Sequence, residues 1–117
     1  MIEIKNDTGS ICVENDVFTN LAGDAATRCF GVKGMAARSK SDGFVQLLRR
    51  ESMSRGVNIS FYEDGSVAIE LHIVVDHGVN IGALARSIIS EVSYKVGNAT
   101  GVPVSKVDVF IDSMIVD

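Results

Sequence analysis

The sequence predicts an α+β fold, a two-layer sandwich in which two helices cover one face of a four-stranded, mainly antiparallel sheet. Two segments repeat apolar residues every three or four positions, as amphipathic helices do, and several shorter segments alternate apolar with polar residues, as half-buried strands do. A chain of 117 residues suits one domain, here 1–117, because folding at this length buries roughly two-thirds of the surface without disulfides or metal.

The first part of the chain reads as a strand followed by a helix. Ile2 and Ile4 indicate a strand fragment, and residues 10–14 form a short predicted strand. Asn15 or Asp16 can cap the first helix, and Gly31 can end it. Its apolar stripe is Phe18, Leu21, Ala22, Ala25 and Cys29.

Residues 31–56 are predicted to be an insertion outside the sandwich. Residues 31–43 show no sustained period, which favours a loop or a short irregular strand. Phe44, Leu47 and Leu48 then form a small apolar stripe, which predicts a short amphipathic helix capped by Ser41 or Asp42.

A hairpin, a helix and a last strand complete the chain. Two alternating runs, 57–61 and 67–75, flank Asp64-Gly65, a two-residue hairpin signal. Gly78 permits a turn and Asn80 caps the second helix, which Gly101 and Pro103 end. Its stripe is Ile81, Leu84, Ala85, Ile88, Val92, Val96 and Ala99, and Val107, Val109 and Ile111 follow as the inward side of a strand. The order βαββαβ matches the ferredoxin-like layout, although a different two-layer strand order stays open.

The charge distribution separates the chain into two parts. Between residues 28 and 55, which we call the basic segment, seven cations face two carboxylates, a net of 7 − 2 = +5. The total of −4 leaves −4 − 5 = −9 for the remainder. This asymmetry predicts head-to-tail self-association, in which the basic segment of one copy meets the acidic sheet face of the next. The acidic total disfavours a nucleic acid partner.

Cysteine usage and the N-terminus predict a cytoplasmic protein. Cys12 and Cys29 have neither the number nor the spacing of a disulfide framework or a metal site, so they are expected to be reduced core residues. The start of the chain lacks the basic and apolar regions of a signal peptide, and no apolar run approaches the roughly 20 residues of a membrane span.

The candidate for catalytic or metal chemistry is the group His72, Asp76 and His77. In a strand, His72 and Asp76 lie about 13 Å apart, too far for shared ligation, so we expect solvated side chains beside a turn. No nucleophile, phosphate-loop or zinc-protease motif occurs elsewhere. The sequence therefore predicts no catalytic residues, no cofactor and no metal.

Four segments of the sequence carry a resemblance to a known family. They are SICVENDVFTNLAGDAATRCFGVKGMA, DGFVQLLRRESMSRGV, VAIELHIVVDHGVNIGALARSI and TGVPVSKVDVFI. In this order they resemble the alkaline shock protein family of cell-envelope stress proteins, found mainly in Gram-positive bacteria. The most specific positions lie in two segments, 22–36 and 73–81. Phe30 departs from the family's pattern, because many members have proline before the Gly-Val pair.

The resemblance implies a small cytosolic, non-catalytic protein that self-associates, supports envelope homeostasis and, in some members, is recruited to the membrane by a separate anchor protein. We expect such an interaction protein here. The alternative is a binding or accessory module for an anionic ligand, acyl or phosphorylated, that uses the basic segment. Candidate partner-binding residues are Lys33, Arg38, Lys40, Phe44, Arg49, Arg50, Tyr62, Val74 and Phe110. For Phe44, Leu47 and Leu48, a core position and a docking stripe both stay open.

Overall fold

The computed structural model describes residues 1–38, 45–48 and 50–116, with the backbone alone for residues 38 and 50–52. In chain order the elements are β1 Ile2–Asn6, β2 Gly9–Val13, α1 Asn15–Thr27, β3 Val32–Arg38, β4 Val45–Leu47, a 3₁₀ segment Arg50–Gly56, β5 Val57–Phe61, β6 Val67–Asp76, α2 Ile81–Thr100 and β7 Val104–Ile115. The predicted α+β class with two helices is confirmed.

Strand β6 is the centre of a five-stranded sheet made of β3 to β7. One edge of β6 pairs antiparallel with β5 over its first half and with β3 over its second half, while the other edge pairs with β7 along its length. The residues of β6 are almost all buried, because a strand with neighbours on both edges has little access to solvent.

The main sheet is mainly antiparallel, but it has five strands instead of the predicted four, and β7 runs parallel to β6. In the predicted layout the first strand lies between these two strands, but here β1 and β2 pair with each other, so β7 lies directly beside β6. Twenty helical residues, the length of α2, span about 30 Å, close to the roughly 33 Å of a ten-residue strand. The helix therefore returns the chain to the start of β6, and the next strand runs in the same direction.

Strands β1 and β2 form a separate two-stranded sheet, so the strand expected at 10–14 does not join the main sheet. A tight turn between the two strands brings them side by side. In this turn the Asn6 side-chain oxygen accepts hydrogen bonds from the N–H groups of Thr8, at 2.9 Å, and Gly9, at 3.1 Å. Ile4 and Ile11 face each other across this hairpin and are both exposed.

The predicted insertion is part of the sheet. Residues 32–38 form β3, and residues 45–47 form β4 rather than the expected amphipathic helix. The Leu48 N–H donates to the Met35 carbonyl at 2.8 Å, and this pairing with β3 holds the segment extended. Phe44, Ser41 and Asp42 lie outside the described residues.

The core lies between the helices and one face of the sheet. Phe18 of α1 meets Phe61 of β5 edge to face, with ring centroids 5.4 Å apart. The fully buried members of this core are Phe18, Ala22, Ala26, Met35, Val67, Leu71, Ile73, Val75, Ile88, Val92 and Val96. Both helices therefore pack on the same face, as predicted.

Several predicted turns and caps are confirmed. The Asn80 side-chain oxygen accepts from the Ala83 N–H at 3.0 Å, and Gly101 ends α2 with φ of 73°. Gly78 has φ of 88°, which a side chain would strain. In contrast, neither predicted residue caps α1: Asn15 and Asp16 lie inside it, and it ends at Thr27 instead of Gly31.

The β5–β6 connection is longer than the predicted two-residue turn. The Tyr62 N–H donates to the Ser66 carbonyl, and the Asp64 carboxylate accepts from the N–H and the hydroxyl of Ser66 at 2.9 and 2.6 Å. These two bonds also lower the pKa of Asp64.

Candidate interaction surface

The face of the sheet that carries no helix, which we call the outer face, gathers the polar residues of three strands. They are Asn58 and Ser60 of β5, Glu70, His72 and Asp76 of β6, and Lys106, Asp108 and Asp112 of β7, together with Val74 and Phe110. The alternation of the strands places them there, because every second residue points away from the helices.

His72 is held between two carboxylates. Its Nδ1 lies 3.0 Å from Asp112 Oδ2, and its Nε2 lies 3.2 Å from Glu70 Oε2. The imidazole also stacks on the Phe110 ring, with centroids 4.9 Å apart and planes 11° from parallel. A neutral imidazole has one N–H and can donate to one of these carboxylates, whereas the protonated ring donates to both. The prediction of a solvated side chain is therefore wrong for His72, which is 28% exposed and has a carboxylate partner at each ring nitrogen.

Glu70 links this group to β5. Its Oε2 accepts a hydrogen bond from the Asn58 side-chain amide at 2.7 Å, and this bond, followed by the one from His72, lowers the pKa of Glu70. Hydrogen bonds to a carboxylate favour its ionised form. Glu70 therefore stays negative on the outer face.

Beside the stacked rings lies an open cavity of about 600 Å³, lined by Ala36, Arg55, Asn58, His72, Phe110 and Asp112 among others. Its lining combines an exposed aromatic ring, a guanidinium group and a carboxylate. Aromatic and arginine side chains are typical anchors of protein interfaces.

The two exposed aromatic candidates do face the outer side. Phe110 and Tyr62 are each 43% exposed, Phe110 in the middle of β7 and Tyr62 just after β5. Both line outer-face cavities together with carboxylates. Their rings are therefore available for contact with a partner.

Val74, in contrast, is wrong as a contact residue because it is only 3% exposed. It pairs with Gly34 on one side and Ser113 on the other. A side chain at Gly34 would come within 3.0 Å of Leu47 Cδ1, so the Leu47 side chain already occupies the space over this part of the outer face. A partner cannot reach Val74 without moving its neighbours.

The basic segment touches the outer face within one molecule. Lys33 Nζ lies 3.5 Å from the Asp76 carboxylate, in an exposed ion pair of the kind that contributes little stability. Lys40, Phe44 and Arg49 lie outside the described residues, and Arg38 and Arg50 are described by backbone alone, so their predicted role stays a prediction.

The contact between His72 and Asp112 was missed by the sequence reasoning. The two residues are 40 positions apart, and they meet because β7 runs parallel to β6 and places Phe110 beside His72. The alternating pattern showed that both residues face outward. It carried no signal for the strand order that brings them together.

In the described part of the chain neither a metal site nor a membrane-spanning helix is found, and the two cysteines differ in burial. No group of three His, Cys, Asp or Glu side chains there is arranged to hold a metal ion. Cys29 is half-buried, and burial raises its pKa, but Cys12 is exposed on the β1–β2 hairpin and is not the core residue that was expected. None of the helices described in residues 1–116 has the length and apolar character to cross a membrane.

Comparison with known proteins matches almost the whole chain to one family. The family model of the alkaline shock proteins, described by its "cell envelope-related function", matches residues 3–116. The uncharacterized protein YloU of Bacillus subtilis is 33% identical over 97% of this chain and 94% of its own length. The uncharacterized protein Spy1614 of Streptococcus pyogenes is 29% identical over 97% and 93%.

Solved structures share the fold at low sequence identity. MamM-CTD H285A superposes with a TM-score of 0.51 at 16% identity, over 86% of this chain and 98% of that domain. MamM CTD H264E gives a TM-score of 0.50 at 16% identity, over 84% and 93%. These domains have a ferredoxin-like fold, and the likeness concerns the fold alone.

Proposed function

The chain belongs to the alkaline shock protein family, which has a cell envelope-related function, and from this premise we propose that it is a non-catalytic interaction protein that self-associates and recruits partners. The match across residues 3–116 carries the proposal, because it covers both helices and every described strand.

The outer face supports this function physically. Phe110 and Tyr62 provide exposed apolar surface, and Glu70, Asp76, Asp108 and Asp112 surround them with negative charge. A surface of this composition suits a partner with cations around an apolar centre, because complementary charge speeds encounter and sets orientation. The basic segment of a second copy is one such partner, and a membrane-anchored protein with a basic surface is another.

We place the protein in the cytoplasm, with recruitment to the membrane through a separate anchor protein. This placement extends to the chain what the family resemblance implies for some members. This placement can be tested in the organism that carries the gene, because the proposed anchor protein and the stress signal would both be present there.

The test is complementation of a deletion strain under envelope stress, such as alkaline shock. Wild type should restore growth, whereas Asp108→Ala/Phe110→Ala should not, because it removes one carboxylate and one exposed ring from the outer face. Glu91→Ala/Tyr94→Ala is the matched control, since it removes the same two groups from the exposed side of α2. A deletion strain without an envelope defect, or full rescue by the outer-face variant at wild-type protein levels, would contradict the proposal.

A second candidate function, binding of an anionic acyl ligand, is favoured by one cavity. It measures about 300 Å³ and places Arg28 and Lys33 near the apolar side chains of Met35, Leu48 and Met53. Both cations have a carboxylate partner, Arg28 with Asp24 at 2.9 Å and Lys33 with Asp76 at 3.5 Å, and the longer Lys33 contact makes that lysine the cation to test. Titration with a fatty acid and with inorganic phosphate should show saturable heat for the fatty acid, weakened by Lys33→Gln; no heat with either removes this function.

A further inference from the structure

Strand β7 presents a long unpaired edge. Strand β6 is paired on both edges, and within the described residues β7 pairs with β6 alone. Its other edge therefore exposes backbone groups along Val104–Ile115, interrupted where the register shifts near Ser105 and Asp112. An edge of this kind is a template for another strand.

The direction of the backbone groups on this edge follows from the hydrogen bonds of β6. The Val67 N–H donates to Pro103 and the His77 N–H to Ile115, so the odd-numbered residues of β6 face β7. In a parallel ladder each of them bonds the two residues that flank its partner. Since Ile69 pairs with Val107 and Leu71 with Val109, the groups that face β6 belong to Lys106, Asp108 and Phe110. The N–H and C=O groups of Val107, Val109 and Ile111 point to the free edge.

The charges between the two register shifts are self-complementary. Lys106 lies three residues before Val109, and Asp112 lies three residues after it. We propose that β7 of one copy pairs antiparallel with β7 of a second copy about a two-fold axis at Val109, a contact that rests on the self-association proposed above. The outward N–H and C=O groups of Val109 then bond those of Val109 in the second copy, and the groups of Val107 bond those of Ile111. On each side of the axis Lys106 of one copy lies opposite Asp112 of the other.

Other registers are disfavoured by like charges or by the irregularities of the strand. An axis at Asp108 places that carboxylate opposite itself, and an axis at Phe110 places Asp108 opposite Asp112. An axis at Val107 brings Lys106 opposite Asp108, but its next pair already falls on the irregular position Ser105, whereas the Val109 ladder extends to Val107 and Ile111 before it meets the irregular position Asp112. The Val109 register alone uses the full segment from Lys106 to Asp112 without a like-charge pair.

The side chains at this edge are free to make these contacts. Lys106 is exposed, and its intramolecular partner Asp108 is an exposed carboxylate at 3.4 Å, so the lysine can turn to a new partner at little cost. The Asp112 side chain is 11% exposed and His72 holds its Oδ2, so the lysine has to reach the second carboxylate oxygen. The two Phe110 rings become diagonal neighbours across the axis, within reach of each other, and cover surface that is half-exposed in one copy.

The remaining edges offer less to a second copy. Strand β4 has three residues, and β5 has five, with uncharged Asn58 and Ser60 on its outer side. Strand β1 also has five residues and contains one complementary pair, Glu3 and Lys5, which already bond each other at 3.0 Å. The long, charge-paired β7 edge is therefore the surface to which we assign the two-fold contact.

The experiment mixes two charge variants of the full chain. Lys106→Asp places Asp opposite Asp twice, and Asp112→Lys places Lys opposite Lys twice, so each variant alone should dimerise about tenfold or more weakly than wild type. Their equimolar mixture restores both opposite-charge pairs and should recover the dimer in sedimentation equilibrium. Lys95→Asp on α2 is the matched control and should dimerise like wild type. Melting curves confirm that each variant is folded.

Amide hydrogen exchange supplies a second readout that needs no variant. Protection of Val107, Val109 and Ile111 should rise with protein concentration, while Lys106, Asp108 and Phe110 are protected at every concentration by β6. If both charge variants assemble as strongly as wild type and the three amides stay unprotected, the β7 contact is overturned, while the proposed self-association is still supported. A monomer at all concentrations overturns both. Concentration-dependent protection in β1 instead would assign the contact to the hairpin and also overturn the proposal.

Discussion

The outer face is organised around one residue, His72. Its two ring nitrogens lie within 3.2 Å of carboxylates from β6 and β7, and its ring stacks on Phe110. Glu70 is also bonded to Asn58, so side chains from three strands are joined in one polar network. Such a network fixes the side chains of the surface before a partner arrives, which reduces the entropy lost on binding.

The Glu70 contacts predict a specific acid sensitivity. Because hydrogen bonds from Asn58 and His72 lower the pKa of Glu70 in the folded protein, the unfolded chain binds the proton more readily. The stabilisation is present above the ordinary glutamate pKa of about 4.3 and is lost as the pH falls through the lower, folded-state pKa. Urea unfolding between pH 7 and pH 3 should therefore show a smaller acid-induced loss for Glu70→Gln than for wild type. Equal losses in the two proteins would contradict this, and Glu91→Gln on α2 serves as control.

At the scale of elements, two close approaches hold β4 and the 3₁₀ segment against β3. The 3₁₀ segment ends at Gly56 against β3, and β4 lies on the edge of β3 with Leu48 directed into the core. Both approaches depend on the identity of single side chains, so both can be tested by substitution.

Gly56→Ala should be destabilising because there is no room for its methyl group. The added Cβ would lie 2.9 Å from the Ala36 carbonyl oxygen and 2.9 Å from Met35 Cβ, and one of these neighbours is backbone. Overpacking of this kind costs about 1–3 kcal/mol. Gly9→Ala is the matched control, since its Cβ meets nothing within 4 Å, and it should change the free energy of unfolding by about 0.5 kcal/mol or less. Equal melting temperatures for the two variants would refute the close approach.

The neighbours Leu47 and Leu48 should respond differently to truncation. Leu48 is 7% exposed, so Leu48→Ala should cost about 2–5 kcal/mol of stability. Leu47 is 46% exposed, so Leu47→Ala should cost clearly less, about 1 kcal/mol. Chemical denaturation measures both. If Leu47→Ala keeps its stability but loses a partner, docking at this position is supported; a large stability loss with binding retained removes that hypothesis.

The whole molecule is elongated, with principal extents of 57, 32 and 22 Å, and its charge is unevenly divided. The basic segment carries +5 and the remainder −9, while the outer face gathers four carboxylates. A contact between two different patches need not close, so such a molecule can form chains of copies in addition to a two-fold dimer.

Salt should separate the charge-driven assembly from other contacts. If the basic segment meets the outer face of the next copy, assemblies should shrink as ionic strength rises above physiological, where the Debye length is about 8 Å. Arg49→Glu/Arg50→Glu should abolish them at low salt, whereas Lys5→Glu/Lys95→Glu, with the same change in net charge, should not. Sedimentation velocity across a salt series measures this. Assemblies that are indifferent to both arginines, or a monomer at every salt concentration, would contradict head-to-tail association.

The sequence by itself determined the local features of this protein. The apolar periods predicted both helices and the strands β5, β6 and β7, and local chemistry predicted the Asn80 cap, the Gly101 end and the turn at Gly78. The alternation also predicted which side chains of β6 and β7 face outward, among them His72 and Phe110. These features depend on residues within a few positions of each other, where spacing alone carries the information.

Only the tertiary structure decided which strands are neighbours. The folded chain pairs β7 directly with β6, includes β3 and β4 in the main sheet and leaves β1 and β2 as a separate hairpin, and each of these outcomes is set by which backbone groups bond each other. For this reason the spacing of residues could not predict three features of the structure. They are the His72–Asp112 contact, the burial of Val74 beside Leu47, and the free edge of β7. A strand's pattern states which face is apolar, but the partner on each edge is chosen by the packing of the whole chain.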